Sequence, residues 1–233
     1  MADVLEIGKP KTHSNGYFPP KSVAEVHEFY LTGEITTADD YIEWFDAIRH
    51  AKETDLVKIY INSYGGDLFT AIQFMRVLAD TDATVIASVE GACMSAATMI
   101  FMCADSYEVT PHSIFMFHNY SGGTIGKGGE MIDQLQHERK WSERLLKEIY
   151  LDFMTDEEIQ SMLSNKDLWM DGEEVVKRIS AKMVKQNSDL EETTKSAKKT
   201  PAKKTPVKKP TAKKTVAKKV PAKKPVRKKA SLV

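Results

Sequence analysis

A serine, a histidine and an aspartate follow one another along the chain as Ser95, His118 and Asp167. Those side chains in that order could form an acyl-transfer triad. The carboxylate would orient the imidazole, the imidazole would take the hydroxyl proton, and backbone N–H groups would hold the oxyanion. Each residue also has a plainer reading. Ser95 lies in GACMSAATMI (91–100), at an expected strand-to-helix junction. There its hydroxyl is near the positive end of a helix, with free backbone N–H groups close by. Among Ala92, Ala96 and Ala97 it reads first as a close-packing residue, and the pattern is not G-x-S-x-G. His118 ends the apolar run SIFMF where a glycine-rich segment begins. It competes with His13, His27, His50, His112 and His137, of which His27, His50 and His137 read as surface residues. Asp167 is one of 33 acidic residues, but it directly precedes Leu168-Trp169-Met170. It is therefore expected to be partly buried, with a partner. Gly65-Gly66 ends a buried strand. The pair serves either as a turn into a helix or as backbone that an anion can approach because no Cβ blocks it. Composition alone does not single out these residues.

The elements that must position them follow from periodicity. EFYLTG (28–33) reads as a short strand ending at a glycine turn. Thr37 is a candidate N-cap for a helix to about Lys52, with Tyr41, Ile42, Phe45, Ile48 and Ala51 at helical spacing. LVKIYINS (56–63) is a buried strand that stops at Tyr64-Gly65-Gly66. A helix follows with Leu68, Ala71, Ile72, Met75 and Leu78 on one face. ATVIASVEG (83–91) is a third strand, and the helix containing Ser95 comes next. This alternation argues for parallel strands joined by crossover helices. Two more strands are expected near 106–110 and 113–118. SGGTIGKGGE (121–130), with five glycines in ten residues, is read as a strand or loop and not a helix. A long helix over about 130–153 carries an apolar stripe of Met131, Ile132, Leu135, Trp141, Leu145 and Ile149. TDEE (155–158) is a capping-box start, and a last helix covers about 172–179.

Net charge is zero over 233 residues, yet the charge is segregated. All 33 acidic residues lie in 1–194, and sixteen of the 33 basic residues lie in 195–233, so a body of net −16 is joined to a tail of net +16. The tail repeats lysine pairs every five residues between Ala, Pro, Thr and Val. Its prolines block a continuous helix and its composition supplies no core, so disorder is expected there. Cys93 and Cys103 have neither a disulfide framework nor metal-ligand spacing around them. No signal peptide is read at the N-terminus. The most apolar run, Met94 to Ala104, is about half of a membrane span. A cytoplasmic protein without a cofactor or metal is expected.

Five segments in register resemble the Clp protease proteolytic subunit (ClpP) family: YLTGEI (30–35), KIYINSYGGDLFTAI (58–72), VEGACMSAATMIFMCA (89–104), SIFMFHNYSGG (113–123) and DLWM (167–170). The resemblance covers about 27–185. The intervals Gly66 to Ser95 and His118 to Asp167 look like those of typical members, while Ser95 to His118 is slightly shorter. The resemblance implies an α/β, crotonase-like spiral of β-β-α units with a projecting strand-and-helix handle. The domains it implies are an N-terminal arm (1–26), a ClpP-like serine peptidase domain (27–190) and the basic tail (191–233). It also implies an ATP-dependent Clp-type serine endopeptidase. In it Ser95 matches the nucleophile, His118 the general base and Asp167 the orienting acid, with Gly66 and Ala96 matching the oxyanion-hole positions. Gly65, Leu68 and the segment Ser121, Gly122, Gly123, Thr124 and Ile125 match backbone that pairs with an extended peptide. The 121–130 run then reads as the handle strand and 130–153 as the handle helix. Implied partners are copies of the chain in stacked heptameric rings, polypeptide substrates and a hexameric ATPase unfoldase.

The sequence departs from the family pattern in several places. Ser63-Tyr64-Gly65-Gly66 stands for Ser-Pro-Gly-Gly, and Ala96-Ala97 follows the serine in place of Met-Gly. Ile179-Ser180-Ala181-Lys182 replaces a Gly-Leu-Val/Ile-Asp signature, and no first helix is evident in 1–26. A divergent, phage-encoded member acting in head maturation is an alternative. So are a crotonase-fold relative with acyl-CoA chemistry, and a non-enzymatic protein that binds nucleic acid through the tail.

Overall fold

In 56–66 every second residue is buried: Val57, Ile59, Ile61, Ser63 and Gly65 face one way, and Lys58, Tyr60, Asn62 and Tyr64 the other. A period of two with one covered face is the signature of a half-buried strand. The computed structural model describes residues 24–197, so most of the N-terminal arm and of the basic tail lies outside the described residues. Three long strands, β1 (Val26–Ile35), β2 (Leu56–Gly66) and β3 (Thr84–Met94), run parallel in that order. Parallel neighbours need crossovers. Here these are a 3-10 turn (Ala38–Tyr41) leading into α1 (Ile42–His50), and then α2 (Leu68–Asp80). Phe45 and Ile48 of α1 and Ala71, Phe74, Val77 and Leu78 of α2 are buried in one core with the inward strand residues. Tyr41, Phe45 and Phe74 meet edge-on or tilted at its centre. On the opposite face Tyr30 stacks on Tyr60 at 4.7 Å, and Lys58 lies over the Tyr60 ring.

After β3 come α3 (Ala96–Phe101), β4 (Ser106–Val109) and β5 (Ile114–Phe117). The first part of β3 pairs with β4 and its last three residues with β5, both parallel. Then follow α4 (Gly128–Tyr150), α5 (Asp156–Leu163), β6 (Leu168–Asp171) and α6 (Gly172–Ala197). β6 is antiparallel to β5 and closes the far side of the sheet. It fits there because Gly172 has no side chain: a Cβ would lie 2.1 Å from the Thr110 carbonyl oxygen. The fold is mixed α/β with a mainly parallel sheet. α5 opens on the expected capping box, with Thr155 and Glu158 each bonding the other's backbone N–H. α4 is seated by its C-terminal third, where Leu145, Leu146, Ile149 and Tyr150 are buried, while Ile132 and Leu135 nearer its start are exposed.

Several boundaries differ from expectation. β1 does not end at Gly33; a bulge there, with Gly33 at φ +81°, lets the strand continue to Ile35 beside Gly66. β2 and β3 also run on, through Gly65-Gly66 and to Met94. Thr37 makes no side-chain cap, and Ile42 is exposed. The expected handle strand in 121–130 is not formed: no strand is assigned there and α4 begins at Gly128. A strand needs a paired edge, and these residues are instead tethered to α4 through their side chains, Thr124 Oγ1 donating to Gln134 Oε1. α6 extends to Ala197, well past 179. His27 is not a surface residue either. It is about three-quarters buried, with Nε2 3.8 Å from Asp55 Oδ2.

Asp55 is 2% exposed. It accepts N–H groups from Lys52 and Glu25, which fasten the turn before β2 to the start of β1. Those bonds, Lys52's first, hold its carboxyl below the usual value. A depressed folded-state pKa contributes stability that is fully present above the unfolded value, near 3.9, and is lost as pH falls from there through the lower folded value. Stability measured by denaturant titration should therefore drop steeply below about pH 4, and Asp55→Asn should flatten part of that acid limb.

Candidate active site

Strand register brings the chemistry together. β3 and β5 pair Ala92 with Ile114, Cys93 with Phe115 and Met94 with Met116, so both strands end at one level. The Ser95 N–H extends this pairing, donating to the Met116 carbonyl at 2.8 Å. β5 and β6 pair Phe117 with Leu168 in the antiparallel sense. The next residue of one and the preceding residue of the other, His118 and Asp167, are therefore neighbours. Ser95, His118 and Asp167 thus gather where β3 and β5 end and β6 begins, on the C-terminal side of the parallel strands, where such sheets carry their sites.

His118 Nε2 is 2.6 Å from Ser95 Oγ, a short hydrogen bond. His118 Nδ1 is 4.0 Å from Asp167 Oδ1, ion-pair range without a direct hydrogen bond. The Asp167 side chain is 53% exposed, which corrects the expectation of partial burial: it precedes the strand and faces outward. Ser95 is the N-cap residue of α3 at φ +53° and ψ −128°. A non-glycine residue there is strained and persists only where its surroundings hold it.

Gly65 and Gly66 supply part of that hold. A Cβ on Gly65 would lie 2.6 Å from Ser95 Cβ, 2.8 Å from the Met94 oxygen and 3.0 Å from the Ala96 nitrogen. Gly65 also sits at φ +94° and Gly66 at φ +151°, and a Cβ on Gly66 would lie 2.2 Å from the Ile35 oxygen. The glycine backbone thus lies directly against the Ser95 turn. Asn62 steadies the opposite side. β2 and β3 shift register between Ile61 and Ser63, and the Asn62 Oδ1 accepts the Ala92 N–H across the irregularity.

Over Ser95 is a narrow cleft of about 70 Å³, with Gly66, Leu68, Ala96, His118 and Ser121 among the residues lining it. Its apolar wall is Met99, Trp141, Leu145 and Leu146, with Phe69 stacked on Trp141. A wider cleft of about 460 Å³ continues past His118 to Gly122, Leu135 and Asp167. Ser121 and Gly122 therefore flank the clefts. Thr124 is turned to Gln134, and Ile125 is fully exposed. Tyr120, which the sequence reading did not single out, reaches back to Glu138 and meets Trp141 edge-on. Trp141 falls in the apolar stripe of α4, where its spacing does not distinguish a cleft wall from core.

Cys93, two residues before Ser95, is fully buried, and burial pushes its thiol well up, which leaves it inert. Cys103 is partly buried, and its thiol donates to the Met99 carbonyl at 3.3 Å. Among the described residues no group of three or more His, Cys, Asp or Glu side chains is placed to hold a metal ion. Nor is any helix among them long and apolar enough to cross a membrane.

The Clp protease family model matches residues 23–179. The chain belongs to the Clp protease family. No curated protein matches it. Membership makes it a ClpP-like protease domain, a hydrolase, and the match ends within α6, before the basic tail. Within this Clp protease Gly65 is the glycine packed directly against Ser95. Gly65→Ala should fold with a lowered melting midpoint, by about 1–3 kcal/mol in stability. It should lose most peptidase activity, because the added methyl must displace Ser95; thermal melting and peptide hydrolysis together check this.

Proposed function

We propose that the chain is a serine endopeptidase in which Ser95 is the nucleophile, His118 the general base and Asp167 the group that orients His118. The observation that carries this reading is the 2.6 Å contact between Ser95 Oγ and His118 Nε2 at a strained strand-to-helix turn. Oγ attacks the scissile carbonyl carbon as Nε2 takes its proton. His118 then passes that proton to the leaving amine, and water releases the acyl group by the same path in reverse. Asp167 steadies the imidazolium from the Nδ1 side, closing about 1 Å to make a direct hydrogen bond.

The oxyanion falls to the N–H groups of Gly66 and Ala96. Asp67 N–H donates to Ile35 on β1, and alternation along a strand turns the preceding N–H to the Ser95 side. Ala96 opens α3, where N–H groups lack intrahelical acceptors. Gly65, Leu68 and the 121–125 segment are read as the walls between which an extended peptide adds its backbone. A crotonase-like spiral with α4 as handle, assembled into heptameric rings stacked in pairs, fits the exposed Ile132 and Leu135 on α4 and the uncovered Tyr30–Tyr60 face. The substrate class is unfolded polypeptide, delivered with or without a hexameric ATPase. A fluorophosphonate should label Ser95. Ser95→Ala should lower hydrolysis of fluorogenic peptides and of an unfolded protein by about a thousandfold or more. A wild-type assembly that is neither labelled nor active would sink the reading.

A second reading concerns the tail and coexists with the first. Sixteen basic and no acidic residues in 195–233, against a body of net −16, favour a polyanion contact. We propose nucleic acid as that partner, bound through phosphates with little sequence preference. Filter binding of a DNA duplex over a salt series should show a steep salt slope for the full chain, and at least about tenfold weaker binding for residues 1–197. Equal affinity of the two would exclude it, as would salt-insensitive binding.

A further inference from the structure

The strain at Ser95 requires a hold on both sides of the residue. On its N-terminal side, the N–H of Ser95 donates to the Met116 carbonyl of β5. On its C-terminal side, the Ser95 carbonyl is gripped twice by one residue. Thr98 donates its backbone N–H at 2.9 Å and its hydroxyl Oγ1 at 2.6 Å. A carbonyl oxygen can only accept, so the single hydroxyl proton of Thr98 is committed to Ser95. Thr98 Oγ1 is also 2.7 Å from the Tyr150 hydroxyl. The proton in that second bond must then belong to Tyr150. The hydrogen bonds run one way, from Tyr150 O–H to Thr98 Oγ1, and from Thr98 O–H to the Ser95 carbonyl.

Both members are fully enclosed: Thr98 is 0% and Tyr150 2% exposed. Burial holds the phenol well above its usual pKa, so the donor stays protonated. In so dry a place an unpaired hydroxyl is costly, and a satisfied chain is rigid. Tyr150 is the last residue of α4, in the third of that helix that is seated in the body. It packs edge-on against Phe117, the residue before His118, at 5.5 Å. Tyr150 is thus linked to the Ser95 carbonyl through the Thr98 hydroxyl, and its ring packs on the residue next to His118.

We propose that Thr98 and Tyr150 are positioning residues, a directed hydrogen-bond relay that fixes the Ser95 backbone so that Oγ meets His118 and that ties this geometry to the seating of α4. The proposal rests on Ser95 being the nucleophile. Neither residue touches the reacting atoms through its hydroxyl. Their effect is on how often Ser95 is in place, which changes the rate of acylation more than the binding of a peptide.

The test uses the full chain with Thr98→Val, Thr98→Ser, Tyr150→Phe and the Val/Phe double variant. Thr98→Val keeps the shape and removes the hydroxyl. Its kcat on a fluorogenic peptide should fall about tenfold with KM within about twofold. Thr98→Ser restores the hydroxyl and should return kcat to within about twofold of wild type. Tyr150→Phe should lower kcat by about threefold. The double variant should be no slower than Thr98→Val alone, because the Tyr150 proton has already lost its acceptor. A wild-type rate for Thr98→Val, equal losses for Val and Ser, or additive losses in the double variant would each overturn the relay. A crystal structure of Thr98→Val supplies a readout that needs no activity. Ser95 should leave φ near +53° and its Oγ should move away from His118 Nε2; an unchanged turn overturns the relay. Should wild type prove inactive, the nucleophile reading fails and the crystal comparison alone decides the relay. If Thr98→Val does not fold, the structure of Tyr150→Phe, which loses one oxygen, decides in the same way.

Discussion

The site depends on one constraint, the register of β5 between β3 and β6. β5 is only four residues long, yet it meets β3 in parallel and β6 in antiparallel pairing. Its first contact sets the level of His118 against Ser95; its second sets His118 against Asp167. Strand side chains alternate, so a slip of one residue on either side would turn His118 to the wrong face. Phe115 and Phe117, both fully buried, fix the register by filling the core with their rings, near-parallel to each other. His118, which follows Phe117, is thereby delivered at the rim of the core, about three-quarters buried and open to the cleft.

The turn at Ser95 is the second requirement, and it opposes ordinary backbone preference. A residue at φ +53° and ψ −128° costs free energy of order 1–3 kcal/mol, and the surroundings offset it with specific contacts. β5 holds the Ser95 N–H, Thr98 holds its carbonyl, and Gly65 lets the β2 strand close over its Cβ. Ser63 completes the arrangement: fully buried, it donates to the Gly33 carbonyl and accepts the Gly65 N–H, so the bulge in β1 and the glycine turn are tied together. The small residues around Ser95 thus serve both close packing and the turn.

Around this rigid centre the molecule is open in two directions. The N-terminal part of α4, before its seated third, exposes Ile132 and Leu135, and among the described residues no layer covers the stacked Tyr30 and Tyr60 on the outer face of β1 and β2. A parallel sheet is ordinarily covered on both faces, so this surface suits burial against another chain. The charge pattern points the same way at longer range: the acidic body and the basic tail form an electrostatic dipole along one polypeptide.

Much of this was legible in the residues. The alternation of strands and helices, the capping box at Thr155, the family, and the segregation of charge all follow from period, spacing and motif, which are local properties of the chain. The resemblance to the Clp protease family, carried by several motifs in register, singled out Ser95, His118 and Asp167. The strand ends were misread at Gly33, Gly65 and Gly91, since a glycine that permits a bulge or a close approach looks the same in sequence as one that ends a strand. Burial of Asp167 was misjudged because an apolar triplet says nothing about which side of a sheet its neighbour faces. The Tyr150–Thr98–Ser95 relay was invisible: its outer residues lie 55 positions apart and share no motif. The sequence by itself determined which elements form and which chemistry is available. Only the tertiary structure decided which side chains meet, because strand register and the seating of α4 depend on packing between segments distant along the chain.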